Sequence, residues 1–174
     1  LLYYFLGMNG FDSIAHAMTT ISTGGFSTHN LSFGYFNSIS IESTSIFFMI
    51  IGSLPFVVFL KFIHGEKNSL FKDDQVKLFF LILIILIGIT SFWLQANYYN
   101  SNFTHSVRLA AFNITSILTG TGFTSTNYNM WGSFGLVVMI IIMFVGGCAG
   151  STTGGIKIFR LQLLFRGSKT QIKK

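Results

Sequence analysis

Charged residues are scarce in this sequence, and cysteine and proline occur only once each. Lys, Arg, Asp and Glu together make up 9% of its 174 residues, whereas soluble domains carry about 25%. A soluble fold with so little charge could not cover its surface, so lipid must be the solvent for much of the chain. The single cysteine, Cys148, excludes a disulfide within the chain and says nothing about the redox compartment.

The N-terminus lacks the features of a protein start. The sequence begins at Leu1 rather than at methionine, and it has neither the basic region nor the cleavage site of a signal peptide. We therefore expect a piece of a longer protein, cut inside or just after a membrane helix.

Basic residues are concentrated in two segments. They are Lys61, Lys67, Lys72 and Lys77 in the first, and Lys157, Arg160, Arg166, Lys169, Lys173 and Lys174 in the second. Only Arg108 of the eleven lies elsewhere. Because Lys and Arg accumulate on the cytoplasmic side of membrane proteins, we expect the linker 61–77 and the C-terminus to be cytoplasmic. The net charge of +6 is also typical of proteins that bind nucleic acid, but the positions of the charges argue against such a partner.

Three hydrophobic stretches are long enough to cross a bilayer, which takes about 20 apolar residues in a helix. They cover residues 39–63, residues 76–96, and residues 131–145 with a continuation at 156–165. Pro55 predicts a kink in the first stretch. An aromatic belt marks the outer interface: Trp93, Tyr98, Tyr99 and Trp131. The second stretch is therefore predicted to run outward and the third inward.

Two shorter segments, Phe11–Thr28 and Thr104–Thr126, lie on the outer side before an inward-running stretch. Each opens with predicted helix caps, Asp12 or Ser13 in the first and Asn102 or Thr104 in the second. Each continues for about a dozen moderately apolar residues and ends in a run of Gly, Thr and Ser. A helix too short to span, followed by irregular backbone, is typical of a re-entrant loop that lines a wet cavity.

The two segments form an internal repeat. Residues 22–28 align with residues 119–125, and Gly25 and Gly122 are 97 residues apart. The predicted fold is an all-α integral membrane protein built from units of outward helix, half-helix, turn and inward helix. Its predicted parts are 1–63, the second half of one unit; 64–77, a cytoplasmic linker; 78–165, a complete unit; and 166–174, a basic cytoplasmic segment.

The two turns are predicted to bind a monovalent cation. Their candidate residues are Ser22, Thr23, Gly24 and Gly25 with Thr119, Gly120, Thr121 and Gly122. Glycine allows backbone carbonyls to face an ion and replace its water, and hydroxyls add oxygens without fixed charge. Neither turn holds a carboxylate, cysteine or histidine cluster, which argues against divalent or transition metals. The alternative is a pair of tight turns between helices, and we assign His16 and His29 to packing or to the mouth.

A second candidate is the glycine cluster in the third stretch, where five glycines fall within ten residues. Five glycines disfavour helix by roughly 5 kcal/mol, so an interruption at membrane depth is predicted, and such breaks mark transport paths or moving parts. The candidate residues are Gly146, Gly147, Gly150, Ser151, Thr152, Thr153, Gly154, Gly155 and Lys157. Close helix packing through Gly-x-x-x-Gly pairs is an alternative, whereas a phosphate loop would need the absent Gly-Lys-[Ser/Thr] motif.

These motifs resemble one known family. Residues 16–28, reading HAMTTISTGGFST, resemble the second pore loop of the TrkH/KtrB/HKT superfamily of potassium transporters, and residues 118–123, LTGTGF, resemble the third. Residues 146–157, ending Gly154-Gly155-Ile156-Lys157, are similar to the intramembrane loop of the third unit's inner helix. The resemblance covers essentially the whole chain and is stronger to the TrkH branch than to KtrB.

The resemblance implies four helix–pore helix–helix units around one K⁺ pore in a bacterial inner membrane. Thr23, Gly24 and Gly25 with Gly120, Thr121 and Gly122 would contribute to the filter, and residues 146–157 would form the gate. It further implies a homodimer and a cytoplasmic nucleotide-binding ring as partners, with no cofactor beyond the transported ion. The first and fourth filter segments are missing from this sequence, so the preference between K⁺ and Na⁺ stays open.

Two other functions compete with a pore. A non-transporting scaffold would use the glycines for helix packing. An intramembrane enzyme would need paired ionisable groups within a span. The five carboxylates, Asp12, Glu42, Glu66, Asp73 and Asp74, all fall near predicted interfaces, so an enzyme is not predicted.

Overall fold

The computed structural model describes residues 1–66, 68–98 and 102–172. The regular secondary structure of these ranges is helical, apart from one parallel β-bridge between Val145 and Ile156. The helices are α1 (Leu2–Phe5), α2 (Gly10–Ile21), α3 (Ile39–Ser53), α4 (Phe56–Ile63), α5 (Ser69–Lys72), α6 (Asp74–Asn97), α7 (Phe103–Leu118), α8 (Gly132–Phe144) and α9 (Ile158–Ile172). Short 3-10 turns cover Ser32–Tyr35 and Tyr128–Trp131. Lys67 and Tyr99, with Lys173 and Lys174, lie outside the described residues, as does the side chain of Lys169.

Helix α6 matches the second hydrophobic stretch. Asp73 caps it by accepting hydrogen bonds from the backbone N–H groups of Gln75 and Val76, and 24 apolar-rich residues follow without interruption. Among the described helices it alone is long and apolar enough to cross a membrane by itself.

The first hydrophobic stretch is broken rather than kinked. Helices α3 and α4 meet at 92°, and only together are they long and apolar enough to cross a membrane. Pro55 lacks the N–H that would continue the helix, and Leu54 before it is extended at φ −84° and ψ 155°. The break leaves carbonyl oxygens at the end of α3 without helical partners.

The third hydrophobic stretch is helical only in part. Helix α8 has 13 residues, about 20 Å of helix, which is less than the roughly 30 Å of a bilayer core. The chain is non-helical from Val145 to Lys157, and α9 then begins at Ile158.

Helix α7 lies at the centre of the fold and packs against α3, α6 and α8. Nine of its sixteen residues are buried. One apolar cluster joins it to α6 and α8, and a second places Phe112 and Phe123 against Phe33. This packing buries the C-terminal end of α7, where the second glycine-containing turn begins.

The cap predicted for the first short segment was wrong. Helix α2 begins after Asn9, whose side-chain oxygen accepts from the Asp12 N–H at 2.7 Å while its amide donates to the Asp12 carboxylate at 2.8 Å. Asp12 thus lies in the first turn of the helix, as the partner of the cap. In the second segment α7 begins after Asn102, one of the two predicted caps, without a capping bond from its side chain.

Candidate functional site

The two glycine-containing turns lie directly against each other. A Cβ atom built on Gly25 would lie 1.8 Å from the carbonyl oxygen of Thr121, so only glycine fits there. Their backbones also match. Positive φ angles occur at Thr23 and Gly25 (50° and 71°) and at the corresponding Gly120 and Gly122 (69° and 86°). The repeat seen in the sequence is therefore a repeat of conformation.

Each turn follows the C-terminal end of a helix, α2 or α7, and is held by the same bonds. The hydroxyl of Thr19 donates to the carbonyl of Phe26 at 2.9 Å, and that of Ser116 donates to the carbonyl of Phe123 at 2.7 Å. A helix C-terminus carries roughly half a negative charge. Two such ends therefore make the region between the turns favourable for a cation.

A further pair of side chains braces the returning chain after each turn. His16 is fully buried and contacts the Ser27 hydroxyl through Nε2 at 2.9 Å, while the Asn113 amide donates to the Ser125 hydroxyl at 2.8 Å. The sequence analysis missed this role. His16 and Asn113 are 97 residues apart, as are Thr19 and Ser116, so extending the repeat backwards would have found both pairs.

The carbonyl oxygens of the turns are available for a ligand. Among the residues that the structure describes, the carbonyls of 23–25 and 119–122 accept no hydrogen bond. The side chains of Thr119 and Thr121 are buried and share a hydrogen bond of 2.7 Å. Oxygen is the ligand that alkali cations prefer.

A polar network borders the first turn. The buried Asp12 carboxylate accepts from the Thr28 hydroxyl at 2.6 Å and contacts His29 Nε2 at 3.0 Å. The His29 ring stacks on Tyr35 with centroids 3.7 Å apart. These contacts give His29 a defined structural role beside the returning chain.

The glycine-rich loop, residues 145–157, is bound to the break between α3 and α4. The N–H of Cys148 donates to the Ser53 carbonyl at 3.0 Å, and the Phe56 N–H donates to the Gly150 carbonyl at 2.9 Å. Gln75 of α6 accepts from the Ala149 N–H through its side chain at 3.0 Å. The loop thus satisfies backbone groups that the Pro55 break exposes.

The same loop touches both turns. The hydroxyl of Thr23 lies 3.2 Å from that of Thr152, and a Cβ on Gly120 would lie 3.4 Å from the Gly154 nitrogen. The three glycine-rich segments predicted from the sequence therefore meet in one place.

Within the loop, small residues let two backbone segments approach each other, and a lysine binds oxygen atoms of the same loop. A Cβ on Gly146 would lie 2.0 Å from the Gly154 carbonyl oxygen. The Lys157 ammonium donates to the carbonyl and hydroxyl of Thr153, and it lies 3.4 Å from the Ser151 hydroxyl. The nearest neighbours of Gly146 are thus backbone atoms of its own loop rather than another helix.

The chain is similar to known cation transport proteins. A family model described as TrkH, cation transport protein, matches residues 4–174. The Trk system potassium uptake protein TrkI of Halomonas elongata is 37% identical over 99% of this chain and 35% of its own length. TrkH of Escherichia coli (strain K12) is 33% identical over 100% of this chain and 36% of its own.

A solved structure shows the same fold. The crystal structure of the potassium transporter TrkH from Vibrio parahaemolyticus matches with a TM-score of 0.93 and 32% identity, over 99% of this chain and 37% of that one. The present chain therefore spans about a third of the length of the relatives that it matches.

Proposed function

The chain belongs to the TrkH family of cation transport proteins, and we propose that it forms part of the pore through which a membrane transporter takes up K⁺. Its relatives are named potassium uptake proteins, which is the reason for choosing K⁺. The chain contributes two turns of the pore, and other parts of the whole protein contribute the rest.

This proposal rests on the carbonyl oxygens of residues 23–25 and 119–122, which accept no hydrogen bond from the described residues. K⁺ arriving from outside exchanges its water for these oxygens. The C-terminal ends of α2 and α7 add negative potential without a fixed charge. Binding is consequently strong enough for entry and weak enough for release, as conduction requires.

The loop of residues 145–157 acts as the gate. It lies against both turns and blocks the inward path until it moves. Its hydrogen bonds to Ser53, Phe56 and Gln75 are the contacts that favour the closed position.

The remaining parts of the proposal rest on the family resemblance. The whole protein is a homodimer in a bacterial inner membrane, its basic segments face the cytoplasm, and a nucleotide-binding ring regulates it there. The positive-inside distribution of Lys and Arg supports this orientation.

Replacing Gly25 by alanine tests the filter. The new Cβ would overlap the Thr121 carbonyl oxygen, and the positive φ disfavours any side chain. We expect at least a tenfold loss of K⁺ uptake by the full-length protein in cells that lack other K⁺ uptake systems, the factor that corresponds to about 1.4 kcal/mol.

The matched control is Gly88→Ala in α6, where a Cβ meets nothing within 4 Å. This variant should keep wild-type uptake at equal membrane abundance. Normal uptake by the Gly25→Ala variant would refute the assignment of the two turns as the filter.

A further inference from the structure

Thr23 is the exception in the repeat of the two turns. It occupies the position of Gly120, yet it adopts a left-handed conformation at φ 50°. Such a conformation costs a non-glycine residue about 1–2 kcal/mol and persists only where surrounding contacts hold it. A threonine at this position therefore calls for a contact that glycine could not make.

The side chain of Thr23 makes that contact with the glycine-rich loop. It is 7% exposed, and its hydroxyl lies 2.7 Å from the Ser22 carbonyl and 3.2 Å from the Thr152 hydroxyl. The second turn has no equivalent, since Gly120 approaches the loop only through its backbone.

Thr152 in turn joins three elements. Its hydroxyl lies 3.0 Å from the Gly52 carbonyl in α3 and 3.3 Å from the Ile21 carbonyl at the end of α2, and its N–H donates to the same Gly52 carbonyl at 3.2 Å. A Cβ on Gly52 would lie 3.1 Å from the Ile21 oxygen and 3.3 Å from the Thr152 hydroxyl. The absence of a side chain at Gly52 thus lets these groups approach.

We propose that Thr152 is a positioning residue through which the loop holds the first turn in its ion-selective conformation. This inference rests on the proposed function. Thr152 is bound to Gly52 of α3 by two hydrogen bonds, so it stays beside the first turn when the rest of the loop moves. Its hydroxyl keeps Thr23 left-handed and the Thr23 carbonyl aligned with that of Gly24. Without this contact Thr23 relaxes toward negative φ, which rotates the peptide between Thr23 and Gly24 and withdraws a carbonyl ligand.

Thr152→Val removes the hydroxyl and preserves the shape of the side chain. In proteoliposomes containing the full-length protein, we expect the ratio of K⁺ to Na⁺ permeability to fall about fivefold, the factor that corresponds to one typical hydrogen bond. Thr152→Ser retains the hydroxyl and should restore the ratio. The matched control is Thr44→Val, because the Thr44 hydroxyl donates to the Ser40 carbonyl within its own helix, α3.

A second variant separates positioning from a general disturbance of the loop. Adding Thr23→Gly to Thr152→Val should recover at least half of the lost selectivity, because glycine holds a positive φ without support. A loop that is merely displaced would not be rescued by this change. If Thr152→Val does not reach the membrane, Thr152→Ala replaces it, and its permeability ratio is measured with and without Thr23→Gly.

An unchanged permeability ratio for Thr152→Val, or a double variant that stays defective, would overturn the coupling. Gly25→Ala in the same preparations distinguishes this failure from that of the proposed function. If Gly25→Ala abolishes K⁺ flux while Thr152→Val keeps the ratio, only the coupling is wrong. If both variants conduct like the wild type, the filter itself has been misassigned.

Discussion

At the scale of single residues, one ion pair connects the two repeated units. Arg108 of α7 contacts both oxygens of the Glu42 carboxylate at 2.8 Å, and the Glu42 side chain is only 4% exposed. Arg108 also donates to the Asn37 amide oxygen at 3.1 Å. A bidentate arginine–carboxylate pair fixes both distance and orientation, so it holds the start of α3 against α7.

Removing this pair should destabilise the protein. Arg108→Met would leave a buried carboxylate without its partner, which costs about 3 kcal/mol. We expect the unfolding midpoint of the detergent-solubilised protein to fall by roughly 5–10 °C. The control is Lys77→Met, which breaks an exposed pair with Asp74 and should shift the midpoint little. Equal shifts for the two variants would contradict the buried pair's role.

Lys157 is a second residue whose role depends on its surroundings. From the sequence it could repel cations, anchor the loop or simply flank a cytoplasmic end. Its ammonium donates to Thr153 and approaches Ser151, which favours anchoring of the loop.

At the scale of elements, the glycine-rich loop supplies the hydrogen-bond partners that the break between α3 and α4 lacks. The break presents the carbonyls of Gly52 and Ser53 and the N–H of Phe56, and the loop bonds to all three. Backbone groups without partners are costly in lipid, where no water replaces them. Neither irregular segment would therefore be stable in the membrane without the other.

Replacing Pro55 by alanine should loosen the loop. The helix could then continue, and Phe56 N–H would bond to Gly52 rather than to Gly150. Losing about two hydrogen bonds corresponds to roughly 2 kcal/mol, or about thirtyfold in the population of the open loop. Cys148 is fully buried in the loop, so its rate of labelling by a maleimide should rise by a similar factor.

Cys148→Ser in the same background is the control, since it should abolish labelling of this chain. A labelling rate unaffected by Pro55→Ala would show that the break does not hold the loop in place. Any cysteines elsewhere in the full-length protein are replaced beforehand.

At the scale of the whole molecule, the second unit's turn depends on the first unit. Gly34, which follows the first turn, donates its N–H to the Thr124 carbonyl at 3.2 Å, and the Ser32 hydroxyl accepts from the Thr124 N–H at 3.3 Å. Phe33 packs between them on Phe123, with ring centroids 4.5 Å apart. The two turns are therefore parts of one assembly, which a change in either unit would disturb.

Shortening the loop within residues 146–155 tests whether it is the gate of this assembly. If it blocks the path, the K⁺ uptake rate of the full-length protein should rise severalfold. If it serves only for packing, uptake should stay at or below the wild-type rate. Combining the shortened loop with Gly25→Ala should remove the gain, because the proposed path still leads through the two turns.

Much about this protein followed from its sequence. Low charge and three apolar stretches indicated a helical membrane protein, and the resemblance of residues 16–28, 118–123 and 146–157 to the TrkH branch is confirmed by the family match. These signals are local, because hydropathy, glycine content and a 97-residue offset are properties of the linear chain. The division into units at 1–63, 64–77, 78–165 and 166–174 stays a prediction.

Only the tertiary structure decided which of these segments touch. Contacts such as Thr23 with Thr152, Glu42 with Arg108 and Gly25 with Thr121 join residues 129, 66 and 96 positions apart. No local pattern encodes them, because each depends on how the helices pack and where a break exposes backbone groups. The sequence determined that two turns and one interrupted helix exist, and packing brought their unpaired oxygens together.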